Sequence, residues 1–108
     1  MKEFLELRTY KIYPEKMEEW VNFMEEIIIP FQISKGMVIN GSFTVEGDDE
    51  TYIWIRRFNS REDKEKLYIE VYESDKWKNE IAPIVAKLID REAIKVVNLK
   101  STRLSVIK

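Results

Sequence analysis

The chain has neither cysteine nor histidine, and only three glycines and three prolines among its 108 residues. Those absences remove whole chemistries. There is no thiol nucleophile, disulfide framework, Ser-His-Asp triad, thiolate or imidazole zinc site, or histidine-ligated haem. Acid-base work falls to Asp, Glu, Lys or Tyr. Gly36, Gly41 and Gly47 are too scattered for a phosphate-cradling G-x-G-x-x-G or P-loop, so a nucleotide cofactor has no support. An excess of positive charge is also missing: 18 Lys and Arg stand against 20 Asp and Glu, a formal charge of -2. Nucleic acid, which calls for a basic face, is therefore not an expected partner. No apolar run approaches the length of a membrane span, and the start, with Lys2, Glu3, Glu6 and Arg8 among apolar residues, is not a secretory leader. The expectation is one soluble cytoplasmic domain over residues 1–108, with no cofactor and no metal.

What is present reads as alternating strands and helices. Glu3 to Ile12 separates Leu5, Leu7 and Thr9 from Phe4, Glu6, Arg8 and Tyr10, the two faces of a strand. After Pro14, residues Met17, Trp20, Val21, Met24, Ile27, Ile28 and Phe31 recur at helical intervals, with a kink or end expected at Pro30 and a stop at Gly36. Met37 to Glu46 and Thr51 to Phe58 read as two strands joined by a polar hairpin loop, Gly47-Asp48-Asp49-Glu50. The loop carboxylates lack the spacing of a calcium loop. Ser60 with Asp63 marks a helix start and Ser74 a second one, leading into Trp77, Ile81, Ile84, Val85 and Leu88, with Pro83 bending the pattern. The sign-alternating run Arg61 to Lys66 is a solvated helix face. Ala93 to Ile107 reads as a closing strand with a trailing arm, about 101–108, which reaches a neighbouring subunit or else frays.

The order β-α-β-β-α-β is the ferredoxin-like pattern: an α+β subunit with a four-stranded antiparallel sheet and helices on one face. Leu5, Leu7, Ile53 and Ile55 are expected under the helices. The other face then carries Phe4, Glu6, Arg8 and Tyr10 beside Tyr52, Trp54, Arg56 and Phe58. Burying each large apolar side chain there stabilises by about 1.5–3 kcal/mol, so this row is expected to meet a second subunit, with Glu6, Arg8 and Arg56 paired in the interface. Two arginines against one glutamate leave positive charge to receive a carboxylate, phosphate or enolate-like group. Arg8 and Arg56 would hold the anion, Trp54 and Tyr52 would contact its planar part, Tyr10 would donate a proton, and Glu6 would position Arg8 or act as a base. The bland alternative is that these residues only orient the dimer.

Glu6-Leu7-Arg8-Thr9-Tyr10 followed by Pro14, Pro30 with Gln32, Gly41 and Phe43, Tyr52-Ile53-Trp54 before Phe58-Asn59-Ser60, and Trp77 together resemble the NIPSNAP family across nearly the whole chain. Departures from the family pattern fall at Phe58, where Tyr is commoner, at Lys64, where Arg is, and in Pro30 to Gly36, which lacks the family's basic and histidine residues. The resemblance implies a subunit that pairs into a dimeric α/β barrel, a homodimer or a larger assembly. Similar barrels include cofactor-free monooxygenases, isomerases and haem-degrading enzymes. The last use an axial histidine that has no counterpart here. The related barrels also imply a second candidate pocket between sheet and helices, lined by Trp20, Met24, Leu5 and Leu7. Three functions follow as expectations: a protein that binds or transforms a small carboxylated or aromatic metabolite, a non-enzymatic interaction module, or a cofactor-independent monooxygenase.

Overall fold

The computed structural model describes residues 2–108. Strands β1 (Phe4–Ile12), β2 (Val38–Val45), β3 (Asp48–Phe58) and β4 (Ile89–Leu99) form one antiparallel sheet in the order β2-β3-β1-β4. Helical segments α1 (Met17–Phe23) and α2 (Ile29–Ser34) connect β1 to β2, and α3 (Arg61–Tyr72) and α4 (Ala82–Leu88) connect β3 to β4. This is the α+β, ferredoxin-like order that the sequence pattern predicts. Among the described residues no helix is long and apolar enough to cross a membrane.

Local chemistry explains most element ends. Ser60 caps α3 by accepting from the Asp63 amide at 3.0 Å, and Ser74 accepts from the Trp77 amide at 3.2 Å, the two starts expected from the serines. At the end of α2 the Gly36 amide donates to the Ile33 carbonyl and the Met37 amide to the Gln32 carbonyl, with Gly36 at φ +106. That pair of bonds needs a left-handed residue, which glycine supplies without a Cβ penalty. The hairpin is tighter than expected: Val45 already pairs with Asp48, so Glu46-Gly47 makes the turn and Asp48 to Glu50 belong to β3. The Asp48 carboxylate accepts from the Glu50 amide and the Thr51 hydroxyl, which fixes the start of the returning strand. β4 also starts earlier than expected, at Ile89, and ends at Leu99.

Neither proline ends its helix. Each follows a π-helical turn, Met24–Ile28 before Pro30 and Trp77–Ile81 before Pro83. The Ile29 amide reaches back to the Met24 carbonyl and the Ala82 amide to the Trp77 carbonyl, five residues in each case. The wider turn displaces the carbonyl four residues back that a proline ring would strike, so the chain continues as helix.

The sheet faces are the reverse of the expected assignment. Phe4, Glu6, Tyr10, Tyr52, Trp54, Arg56 and Phe58 lie buried beneath the helices, where Tyr10, Tyr52 and Trp54 pack with Trp20, Met24, Ile28 and Val85, and Phe4 and Phe58 pack with Leu67 and Val71. Leu5, Leu7, Ile53 and Ile55 stand on the opposite face, in register with Leu99, Val97, Phe43 and Gly41. Alternation could not decide the matter, because both faces are apolar. The face that won carries the bulkier rings, whose volume fills the space under helices that themselves contribute Trp20 and Tyr72. On the open face Phe43, Val97 and Leu99 remain exposed at 45%, 52% and 36%. Leu5 is buried there where the segment 100–108 turns back, enclosing about 350 Å³ between Leu5 and Ser101 to Arg103. Asn40 of β2 donates to the Lys108 carbonyl at the end of that segment.

Candidate functional site

The register of β1 against β3 sets Glu6 opposite Arg56, Arg8 opposite Trp54 and Tyr10 opposite Tyr52. Directly opposed residues share a face at about 4.5–5.5 Å between Cβ atoms. The six candidate residues therefore form one patch, and the helices, not a second subunit, close over it. Within the patch they divide into an ion-paired cluster and a cavity wall.

The cluster is centred on Glu6 and Arg56, both inaccessible to solvent. Arg56 donates to Glu6 Oε1 from Nη2 at 2.6 Å and from Nε at 3.2 Å. Its remaining N–H groups go to Gln32 Oε1 (2.8 Å) on α2 and to the hydroxyls of Tyr72 (2.8 Å) and Tyr68 (2.8 Å) on α3. Glu6 Oε2 accepts from the Tyr68 hydroxyl at 2.7 Å and from Lys64 Nζ at 2.8 Å. Burial alone would raise the Glu6 carboxyl above its ordinary value. The Arg56 charge, with hydrogen bonds from Lys64, Arg56 and Tyr68, overrides that and brings it down to about 2. Glu6 is thus a fixed anion whose oxygens are already engaged, which suits it to hold the arginines and not to accept a substrate proton.

Arg8 links the cluster to the cavity. Its Nη1 donates to Tyr68 at 3.2 Å and more distantly to Glu6 at 3.5 Å, while Nε donates to the Tyr10 hydroxyl at 2.9 Å. Nη2 has no acceptor among the described residues. Burial raises the Tyr10 phenol above its ordinary value, with the Arg8 charge acting the other way. Tyr10 stays protonated, and because its oxygen already accepts from Arg8, its own proton points elsewhere.

Beside these two residues a cavity of about 170 Å³ opens between sheet and helices. Arg8, Tyr10 and Trp54 form its floor, Trp20, Met24 and Ile28 one wall, and Trp77, Val85 and Ile89 the other. Met24, Ile28 and Trp77 come from the two π-helical turns, so the same distortions that accommodate the prolines shape the walls. Arg91, exposed on β4, stands at the rim. The lining holds two arginines and no carboxylate.

Of the residues singled out from the sequence, Arg8, Tyr10 and Trp54 meet at the cavity. Glu6 and Arg56 lie behind it in the cluster. Tyr52 is turned toward β2, its hydroxyl 2.5 Å from that of Ser42, and does not line the space. The pocket expected between sheet and helices exists, with Trp20 and Met24 in it, but Leu5 and Leu7 belong to the other face. Sequence reading missed Tyr68, Tyr72, Gln32 and Lys64. The two tyrosines sit one helical turn apart on α3, next to the core residues Leu67 and Val71, and that i, i+4 spacing was the available signal.

Comparison with known proteins agrees with this architecture. The NIPSNAP family model matches residues 5–102. A NIPSNAP family protein from Agrobacterium tumefaciens superposes with a TM-score of 0.83 at 24% identity, covering 96% of this chain and 90% of that one. A second protein from that organism, described as a NIPSNAP family protein with unknown function, gives 0.87 at 21% identity, covering 99% and 95%. SnoaB from Streptomyces nogalater, a cofactor-independent oxygenase, gives 0.68 at 11% identity, covering 98% of each chain. No curated protein matches the chain.

The cluster sets a pH dependence of stability. The unfolded Glu6 carboxyl titrates near 4.5 and the folded one near 2, so the fold resists a proton that the unfolded chain accepts. The contribution is full above pH 4.5 and is lost as pH falls toward 2, an effect of roughly 3 kcal/mol. Denaturant unfolding of Glu6→Gln at pH 7 should show a loss of about 3–5 kcal/mol, because the Arg56 charge is left buried without its partner. The variant should also lose less stability than the wild type between pH 4.5 and 2.5. Parallel acid limbs for the two proteins would contradict this account of Glu6.

Proposed function

We propose, for a chain that belongs to the NIPSNAP family, that the cavity between sheet and helices binds a small carboxylated or aromatic metabolite. The observation that carries this reading is the composition of the lining: Arg8, Tyr10 and Trp54 side by side, apolar walls, and no acidic side chain. Arg8 has a free N–H edge and a positive charge only partly offset by the distant Glu6 carboxylate, so an anionic group placed there gains a charge-assisted bond. Trp54, Trp20 and Trp77 offer aromatic surface to the rest of the molecule. Tyr10 is the group able to give a proton to a bound anion or enolate, its phenol being held neutral and its proton uncommitted. Cofactor-independent oxygenation, the activity named for SnoaB, would use the same cavity. Neither reading calls for a metal or an organic cofactor.

We also propose that the chain works as a homodimer joined through the open sheet face. Phe43, Val97 and Leu99 leave apolar surface there that one subunit does not cover, and the family resemblance implies a second copy as its occupant. The 101–108 segment lies at the edge of that face and would take part in the contact.

Each proposal has a direct test. In a thermal-shift screen against small carboxylates, phosphates and phenols, a ligand at a hundred times its Kd should add about 2.7 kcal/mol of stability, and Arg8→Ala should lose the response to carboxylates. If no compound moves the wild type, the cavity is not a ligand site and the interaction-module reading takes its place. For the dimer, light scattering on the eluted protein should give the mass of two chains, and Phe43→Glu with Val97→Glu should give the mass of one without loss of helical signal. A wild type that elutes with the mass of one chain would end the dimer proposal.

A further inference from the structure

Two buried donors on residues that line the cavity have no partner among the described residues. The indole nitrogens of Trp20 and Trp54 are the buried side-chain polar atoms that make no hydrogen bond among the described residues, and both rings, each 1% exposed, line the same space. Buried polar groups in folded proteins are nearly always satisfied, so a pair of orphans on one cavity is a signal of something that belongs there.

They are not isolated. Tyr10 stands between them, its ring 5.8 Å from that of Trp20 and 6.2 Å from that of Trp54, and its hydroxyl accepts from Arg8 while its proton has no acceptor among the described residues. The Tyr72 hydroxyl, also on the lining, accepts from Arg56 and Gln32 and likewise has no acceptor for its own proton. Trp20, Trp54, Tyr10, Tyr72 and Arg8 thus line one space, two of them carrying unpartnered indole donors, and no side-chain carboxylate, amide or aliphatic hydroxyl lines it. A cation would meet repulsion from Arg8 and find no side-chain carboxylate. A neutral hydrocarbon would leave every donor unsatisfied.

Charge counting points the same way. Arg8, Arg56 and Lys64 all approach the single carboxylate of Glu6, at 3.5, 2.6 and 2.8 Å. Arg56 and Lys64 are committed to it at close range, and Arg8, the most distant, is the one on the cavity. Size sets the rest. An apolar cavity of about 150 Å³ holds one benzene ring, so about 170 Å³ takes one ring with a small substituent. Of the remaining lining, Met24, Ile28, Ala82, Val85, Ile89 and Ile94 are apolar, with Trp77 beside them and Arg91 at the exposed rim.

We infer that the ligand is a one-ring monoanion of the arene carboxylate class, its acid oxygens received by the indole N–H groups of Trp20 and Trp54 and by the Tyr10 hydroxyl, with Arg8 supplying the countercharge. This rests on the reading of the cavity as a ligand site and adds which atoms recognise the ligand and how large it can be. No covalent step is implied.

The chain's three tryptophans make the test possible without disturbing the site, since each gives one indole N–H signal in a nitrogen-15 correlation spectrum. Trp20→Phe and Trp54→Phe serve only to assign the signals. Titration of the wild type with benzoate at pH 7.5 should move the Trp20 and Trp54 signals downfield with one shared saturation curve, the direction expected for a donor gaining a charged acceptor. Benzyl alcohol, the neutral counterpart, and 2-naphthoate, the oversized one, should each bind at least tenfold more weakly. If benzoate binds with the two indole signals unmoved, or no more tightly than benzyl alcohol, the recognition inferred here is wrong while the cavity remains a ligand site. If none of the three compounds perturbs any cavity signal up to millimolar concentration, the ligand-site reading fails and this inference fails with it.

Discussion

The buried pair between Glu6 and Arg56 is the interaction around which the rest of this structure is arranged. Taking both charges out of water costs several kcal/mol per ion, and their attraction offsets that only when the remaining lone pairs and protons are also satisfied. The sequence supplies the partners from separate elements: Gln32 from α2, and Lys64, Tyr68 and Tyr72 from α3. All of the Arg56 N–H groups and both Glu6 oxygens are engaged as a result. The helices are thereby fixed over the sheet by directional bonds as well as by apolar packing, which would itself tolerate sliding.

That arrangement has a consequence one residue pair away. The carboxylate that would otherwise pair closely with Arg8 is held by Arg56 and Lys64, so Arg8, which lines the space beside Tyr10, keeps its Nη2 without an acceptor among the described residues. The same space owes its walls to the two π-helical turns that precede Pro30 and Pro83. Stability of the frame and polarity of the cavity have a common origin: three cations disposed about one anion, with the excess turned inward. That bias is what the proposed anionic ligand would meet.

Much of the frame was legible in the amino-acid sequence. Strand and helix order followed from the apolar periods, and helix starts at Ser60 and Ser74 from side chains that cap amides. The row Glu6, Arg8, Tyr10 and Tyr52, Trp54, Arg56 was recognisable as one contiguous patch from its mixture of rings and charges. Its placement was not. A period of two separates the faces of a strand without saying which one the helices cover, and here the aliphatic face and the aromatic face both had a claim. The expectation that charge belongs at a subunit interface failed because Tyr68, Tyr72 and Gln32, distant in sequence, complete the pairing within one chain. The cavity was expected from the family resemblance alone: its walls come from two π-helical turns, and no local residue pattern announces a void. The tight Glu46-Gly47 turn was missed because the acidic residues after it read as loop, although Asp48 bonds back to its own strand.

The central claim is that a cavity with no acidic side chain in its lining, beside a cluster with surplus positive charge, holds an anion by its acid group. A crystal structure of the protein soaked with 4-bromobenzoate tests it most directly, since the anomalous signal of bromine fixes the orientation of the ring. The account predicts the carboxylate oxygens within hydrogen-bond distance of Tyr10, Arg8 and the Trp20 and Trp54 indoles, with bromine among the aliphatic side chains of the walls. Bromine lying against Arg8 with the carboxylate in solvent, or a ligand found only on the open sheet face, would contradict it.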